Sequence, residues 1–201
     1  MAAYTSLSLD SPHACCLLKR PDSSGPLPGH NSPALALMTD FQDISPISVA
    51  ATTSLDTALD YMIISGIRLL FVIDAEFNLL GSITSFDIQG EKPMLYLQSK
   101  DCRIGICSRA DIEVQDVMTP VSKWPTLRHE TLTDATVGDI AHTFQALGQR
   151  HLIVVENQPE QSFAIVRGIF SMSDLERSLG MTFIVGETAK NFSEIERALR
   201  K

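Results

Sequence analysis

No stretch of the sequence approaches the ~20 consecutive apolar residues that span a bilayer. The N-terminus also lacks the basic start and apolar run of a secretory signal. Positive charge is scarce: 16 Lys and Arg stand against 24 Asp and Glu, a formal net charge of −8. A uniformly acidic chain repels phosphate backbones and anionic lipid, so neither nucleic acid nor a membrane is expected as a partner. A small anion held by local donors stays open. The cysteines Cys15, Cys16, Cys102 and Cys107 form no paired Cys-x-x-Cys knuckles, so zinc is not expected. A reducing cytoplasm is the simplest compartment for such a chain. The histidines at 13, 30, 129, 142 and 151 include no His-x-x-x-His pair. There is no Gly-x-Ser-x-Gly elbow and no Gly-x-x-x-x-Gly-Lys loop, so the expectation is a protein that is not an enzyme.

What the chain does have is apolar material, 44% of 201 residues, enough for one compact domain or two small ones. Residues 1–32 are rich in proline and serine, as in Pro21-Asp22-Ser23-Ser24-Gly25-Pro26, and read as a disordered or linker tail. Ser32-Pro33 reads as a helix start, with a short lead-in helix behind it from Ala34 to Phe41.

The organising feature is an internal repeat. Leu55, Ala58, Leu59, Met62 and Ile63 recur at helical spacing and end at Gly66. Val137, Ile140, Ala141, Phe144 and Leu147 do the same and end at Gly148. Each glycine is the expected left-handed cap. A continuous apolar run follows each helix, Leu69–Ile73 and His151–Val155, as in a buried strand. A polar turn then leads to a second strand at Asn78–Gly81 and at Ala164–Gly168, the second hairpin being longer. Short strands near Ile47–Val49 and Thr126–Leu127 precede the helices. The unit is thus strand–helix–strand–strand–helix, twice, an α/β (α+β) fold. Between the copies, Asp111–Pro120 reads as a short helix stopped before proline.

Each second strand runs into a Gly-x-x-Thr/Ser-x-x-Asp turn: Gly81, Thr84 and Asp87 in the first copy, Gly168, Ser171 and Asp174 in the second. A helix N-terminus offers unpaired N–H groups to an anion. Glycine before it admits a ligand to the backbone. The hydroxyl can donate to a phosphate, and the carboxylate can accept from the paired hydroxyls of a ribose. The plainer reading is a helix cap, worth ~1 kcal/mol by itself. One isolated copy favours the cap; duplication in register favours a ligand. Arg68 and Arg150, each two residues beyond the helix-ending glycine, are candidates for phosphate pairing or are simply solvated. His151, where copy one has Leu69, lines the site or sits at a strand edge.

These features resemble a tandem pair of CBS (cystathionine β-synthase) domains, a Bateman module. The residues that carry the resemblance are the two turns, Ser65–Asp74, Gly148–Glu156, and the Asp116-Val117-Met118-Thr119-Pro120 lead-in. It covers roughly residues 38–180 and is nearest to stand-alone bacterial proteins of this kind. The resemblance implies two pseudo-symmetric subdomains packed through their sheets, with two clefts between them. It also implies a regulatory module that binds AMP, ADP or ATP, or S-adenosylmethionine, with no cofactor required. Carried over, Thr84 and Asp87 serve one cleft, and Ser171 and Asp174 the other. The base lies near Leu69, Leu70 and Phe71, near His151, Leu152 and Ile153, and near Ser48 and Thr126. A homodimer and an unknown effector protein are the implied partners. The alternative is a dimerisation or interaction module with vestigial clefts.

The implied division is a tail at 1–32, a first repeat with its lead-in at 33–90, a connector at 91–117, a second repeat at 118–180, and a terminal strand and helix at 181–201. Two departures from the family pattern are present: Ser82 stands where the second copy has the usual aliphatic residue, Ile169, which favours the second cleft, and the proline absent from both strands bears on the base preference.

Overall fold

The computed structural model describes residues 26–99, 108–157 and 163–183. The longer hairpin insertion and the expected terminal helix, with its Ser193/Glu196 capping spacing, lie outside these residues, as does the tail up to residue 25. Two four-stranded sheets form the frame. The first contains β2 (Ser48–Ala50), β3 (Leu69–Ile73), β4 (Leu79–Thr84) and β5 (Thr119–Pro120) in that order. The second runs β6 (Thr126–Arg128), β7 (His151–Asn157), β8 (Ala164–Ser171) and β1 (Thr39–Asp40). In both, the first pair is parallel and the other two are antiparallel. The mixed α/β repeat legible in the sequence is the fold.

The helices form for local reasons that match between copies. In α1 (Leu55–Ser65), Ser54 caps the start by accepting from the Thr57 N–H, and Gly66 closes the end at φ 66°. In α5 (Val137–Leu147), Thr136 and Asp139 exchange hydrogen bonds in a reciprocal capping box, and Gly148 closes the end at φ 63°. Leu55, Ala58 and Met62 bury one face of α1; Val137, Ile140, Ala141 and Phe144 bury that of α5. Ile63 departs from its expected core role and stands 68% exposed.

Each unit has its own apolar core, and each core contains material from beyond its repeat. Ile112, Val114, Val117 and Met118 join the first core, with α4 (Val114–Val117) stopping before Pro120 as expected. Ala34, Leu35, Leu37 and Met38 join the second. Burying Ala34, Val114 and Ile112 completely stabilises this exchange by roughly 1–3 kcal/mol per large side chain. The edge strands follow suit: β5 pairs with β4, and β1 pairs with β8. The expected divisions at 33 and 118 therefore do not partition the packing. Residues 33–40 belong with the second sheet, and 112–120 with the first.

The lead-in is also not the expected helix. It makes only a 3-10 turn at Ala34–Ala36, without a side-chain cap from Ser32. The backbone just before it is held, not free. The carbonyls of His30 and Ser32 accept from the N–H groups of Gly138 and Val137, the first donors of α5, which have no partner within the helix. In the first unit the Ile112 carbonyl does the same for Leu55.

The motif glycines explain themselves at this junction. A Cβ on Gly81 would sit 2.4 Å from the Thr119 carbonyl oxygen, and one on Gly168 2.6 Å from that of Thr39. Each glycine makes room for the borrowed edge strand. The expectation that it admits a ligand is corrected: the approaching backbone is the protein's own.

Candidate functional site

The turns expected to bind a ligand are helix caps in both copies. Thr84 caps α2 (Ser85–Gln89): its hydroxyl accepts from the Asp87 N–H at 3.2 Å, and Asp87 Oδ2 accepts from the Thr84 N–H and hydroxyl at 2.8 and 2.7 Å. Ser171 caps α6 (Met172–Leu179): its hydroxyl accepts from the Asp174 N–H at 3.1 Å and donates to Asp174 Oδ2 at 2.6 Å. Both carboxylates keep a second oxygen, Oδ1, turned to a cation.

Two cavities flank these turns, and each draws on both units. The first, about 300 Å3, takes Thr84, Phe86 and Asp87 from the first unit and Arg150, His151 and Ile153 from the second. The second, about 380 Å3, takes Ser171, Ser173 and Asp174 from the second unit and Arg68, Leu69 and Phe71 from the first. The arginine beyond each helix-ending glycine therefore faces the other repeat's turn. Arg150 shows this directly, its guanidinium stacking over the Phe86 ring at 4.1 Å. Volumes of this order suit a nucleoside monophosphate.

Strand alternation sorts the expected base-lining residues. Leu69, Phe71, His151 and Ile153 line the clefts. Leu70 and Leu152 do not; both are fully buried in the cores on the opposite face. The expectation that they flank the base is corrected by strand register, because successive side chains on a strand point to opposite faces. Ser48 pairs with Phe71 and Thr126 with Ile153, so both stand beside cleft residues at exposed strand starts. The cavity walls at those places are formed instead by their predecessors, Ile47 and Pro125.

His151 lines both cavities. Burial pushes its pKa down to about 4, against the opposing pull of Asp174; Arg150 pushes further down, Asp87 pulls up, and Arg68 pushes down. The imidazole is neutral at physiological pH, and it feels the charged groups of both clefts at once. An edge-to-face aromatic row crosses the same wall: Phe41 on Phe71 at 5.6 Å, and Phe71 on Trp124 at 5.9 Å.

The sequence did not single out several residues that line the clefts. Phe86 and Ser173 lie inside the motif, at its unspecified positions, and so were in plain view. Lys92 opens α3 (Lys92–Ser99) and reaches back to Asp87 Oδ1 at 2.6 Å, to the Val117 carbonyl at 3.2 Å and to the Thr119 hydroxyl at 3.1 Å. In the second cleft Arg177 takes that place against Asp174 Oδ1. Lys123, Trp124 and Phe41 arrive from the segments ahead of β6 and β2, where no repeat was legible.

Residues 36–91 match the model of the CBS domain family. The first repeat is a CBS domain, and the second reproduces its order of elements and its strand pairing. No curated protein sequence matches the chain. Among solved structures, CBSX2 in complex with AMP is similar at 24% identity over 70% of this chain and 90% of that one, with a TM-score of 0.48. CBSX2 from Arabidopsis thaliana also matches at 23% identity, 74% and 93% coverage, and a TM-score of 0.45. An uncharacterized conserved protein from Pyrococcus horikoshii matches at 21% identity, 74% and 92% coverage, and a TM-score of 0.48. Among the described residues no group of His, Cys, Asp and Glu is placed to hold a metal, and no helix is long and apolar enough to cross a membrane.

Proposed function

We propose that the chain is a regulatory module that binds an adenine nucleotide between its two CBS units, in the second cleft first of all. The observation that carries this reading is the crossing of parts. A carboxylate and hydroxyl from one repeat meet an arginine from the other across a cavity of nucleotide size. Asp174 would accept from a ribose, Ser171 would donate to a phosphate, Arg68 would pair with it, and Phe71 and Ile47 would flank the base. Arg177, 70% exposed, can leave Asp174 at little cost when the ribose arrives.

Ligand binding of this kind joins the two units and stabilises the fold. At about 100 times the dissociation constant the gain is ~2.7 kcal/mol. Calorimetric titration with AMP, ADP, ATP and S-adenosylmethionine tests it. Saturable binding that Asp174→Ala abolishes is expected; no binding of any of the four rejects it.

In this reading the module signals and does not catalyse: no base and nucleophile pair is proposed at either turn, and its setting is cytoplasmic. Self-association is proposed through α1, where Ile63 and Ile64 stand 68% and 81% exposed beside the half-exposed Tyr61. Light scattering that gives a monomeric mass with and without ligand refutes that part.

A further inference from the structure

The first cleft differs in charge from the second. Its walls carry three cations, Lys92, Lys123 and Arg150, against one carboxylate, Asp87. That carboxylate is already satisfied, Oδ2 by Thr84 and Oδ1 by a lysine that two further oxygens hold in place. A ribose diol would have to displace an anchored ammonium from a carboxylate only 15% exposed. Trp124, the neighbour of Lys123, lines the same wall. The corresponding stretch of the second cleft, Ser45-Pro46-Ile47, supplies no cation and no indole.

We propose that the first cleft is an anion site that reads adjacent phosphoryl groups by charge, without reading a sugar. Lys123 and Arg150 would share the phosphate oxygens, and Lys92 would keep Asp87 from repelling the ligand. The inference rests on the clefts being ligand sites and assigns them different ligands. The shared chemistry is a diphosphate group, either free pyrophosphate or the phosphate chain of a nucleotide.

Trp124 is the only tryptophan of the chain, so its fluorescence reports on this cleft. The test is to titrate the full chain with inorganic pyrophosphate and follow Trp124 emission, with AMP binding measured separately by calorimetry. A saturable change is expected, weakening with added salt. Lys123→Gln, an exposed position, and Arg150→Gln should each lower the pyrophosphate affinity about tenfold or more. Asp174→Ala should leave it within about twofold while removing AMP binding. ATP that displaces pyrophosphate identifies a nucleotide chain as the occupant; ATP that leaves it in place identifies the free anion. Unchanged emission with no heat of pyrophosphate binding overturns the inference even if AMP binds, and so does unaltered affinity in both variants. Pyrophosphate binding without any nucleotide binding would sink the nucleotide reading and leave this one standing.

Discussion

In the first cleft Asp87 is 15% exposed and held by a lysine with three oxygen partners; in the second, Asp174 is 31% exposed and held by an arginine that is itself 70% exposed. In both turns the hydroxyl caps the helix by accepting from the aspartate N–H, although only Thr84 and Asp87 close a full reciprocal box. The difference shows that a duplicated motif fixes the placement of a carboxylate but not its availability. Availability is set by residues outside the motif, Lys92 in one case and Arg177 in the other. The departure at Ser82 pointed toward the second cleft; the ion pairs give that preference a physical basis.

The largest effects should come from the point where the halves are most alike. Gly81→Val and Gly168→Val each drive a side chain into the borrowed edge strand. A loss of about 3 kcal/mol or more is expected for each in urea unfolding. A loss confined to one of them would break the symmetry claimed for the exchange. Next, Asp174→Ala should remove measurable AMP binding, a loss of about a hundredfold or more, whereas Asp87→Ala should change it less than about twofold. Equal losses would erase the distinction between clefts. Lys92→Met, which frees Asp87 Oδ1, should raise the AMP stoichiometry from one per chain toward two.

The edge strands sharpen the comparison differently. Arg167 grips Asp40 through two hydrogen bonds of 2.9 and 2.7 Å and also reaches Glu156 and Gln42, whereas Pro120 occupies the matching place in β5 and offers no side-chain grip. Arg167→Met should cost about 2 kcal/mol. The hydrogen bond from Arg167 lowers the Asp40 pKa from 3.8 to about 2. A depressed carboxylate stabilises above its unfolded pKa, and that contribution is lost as pH falls through about 2. Arg167→Met should flatten the acid dependence in that window.

The shared wall carries a pH dependence of its own. With its pKa at about 4 instead of 6.5, His151 favours the fold above pH 6.5, and that contribution declines as pH falls toward 4. His151→Leu, which installs the residue that copy one carries as Leu69, should remove this decline. A proton NMR titration that placed His151 near 6.5 would contradict the buried, neutral imidazole.

Much of this was legible beforehand. Helical spacing and the glycine caps located α1 and α5 because both signals are local. The turns were found because they recur. The cleft faces of β3 and β7 were not, since a continuous apolar run carries no alternation to separate Leu70 from Phe71 or Leu152 from Ile153. The edge strands escaped because two residues have no period, and their partners lie far along the chain. Lys92 escaped because a lysine that folds back onto a carboxylate leaves no spacing signature distinct from a solvated one.

The exchange of edge strands also bears on how such a chain comes apart. Cutting between the repeats would leave each half with a foreign strand in tow and its own sheet one strand short. Two copies of either half could restore the missing edges only by trading lead-ins, as domain-swapped partners do. The tandem chain is thus the covalent form of a swapped pair, and its indivisible unit is the duplication itself.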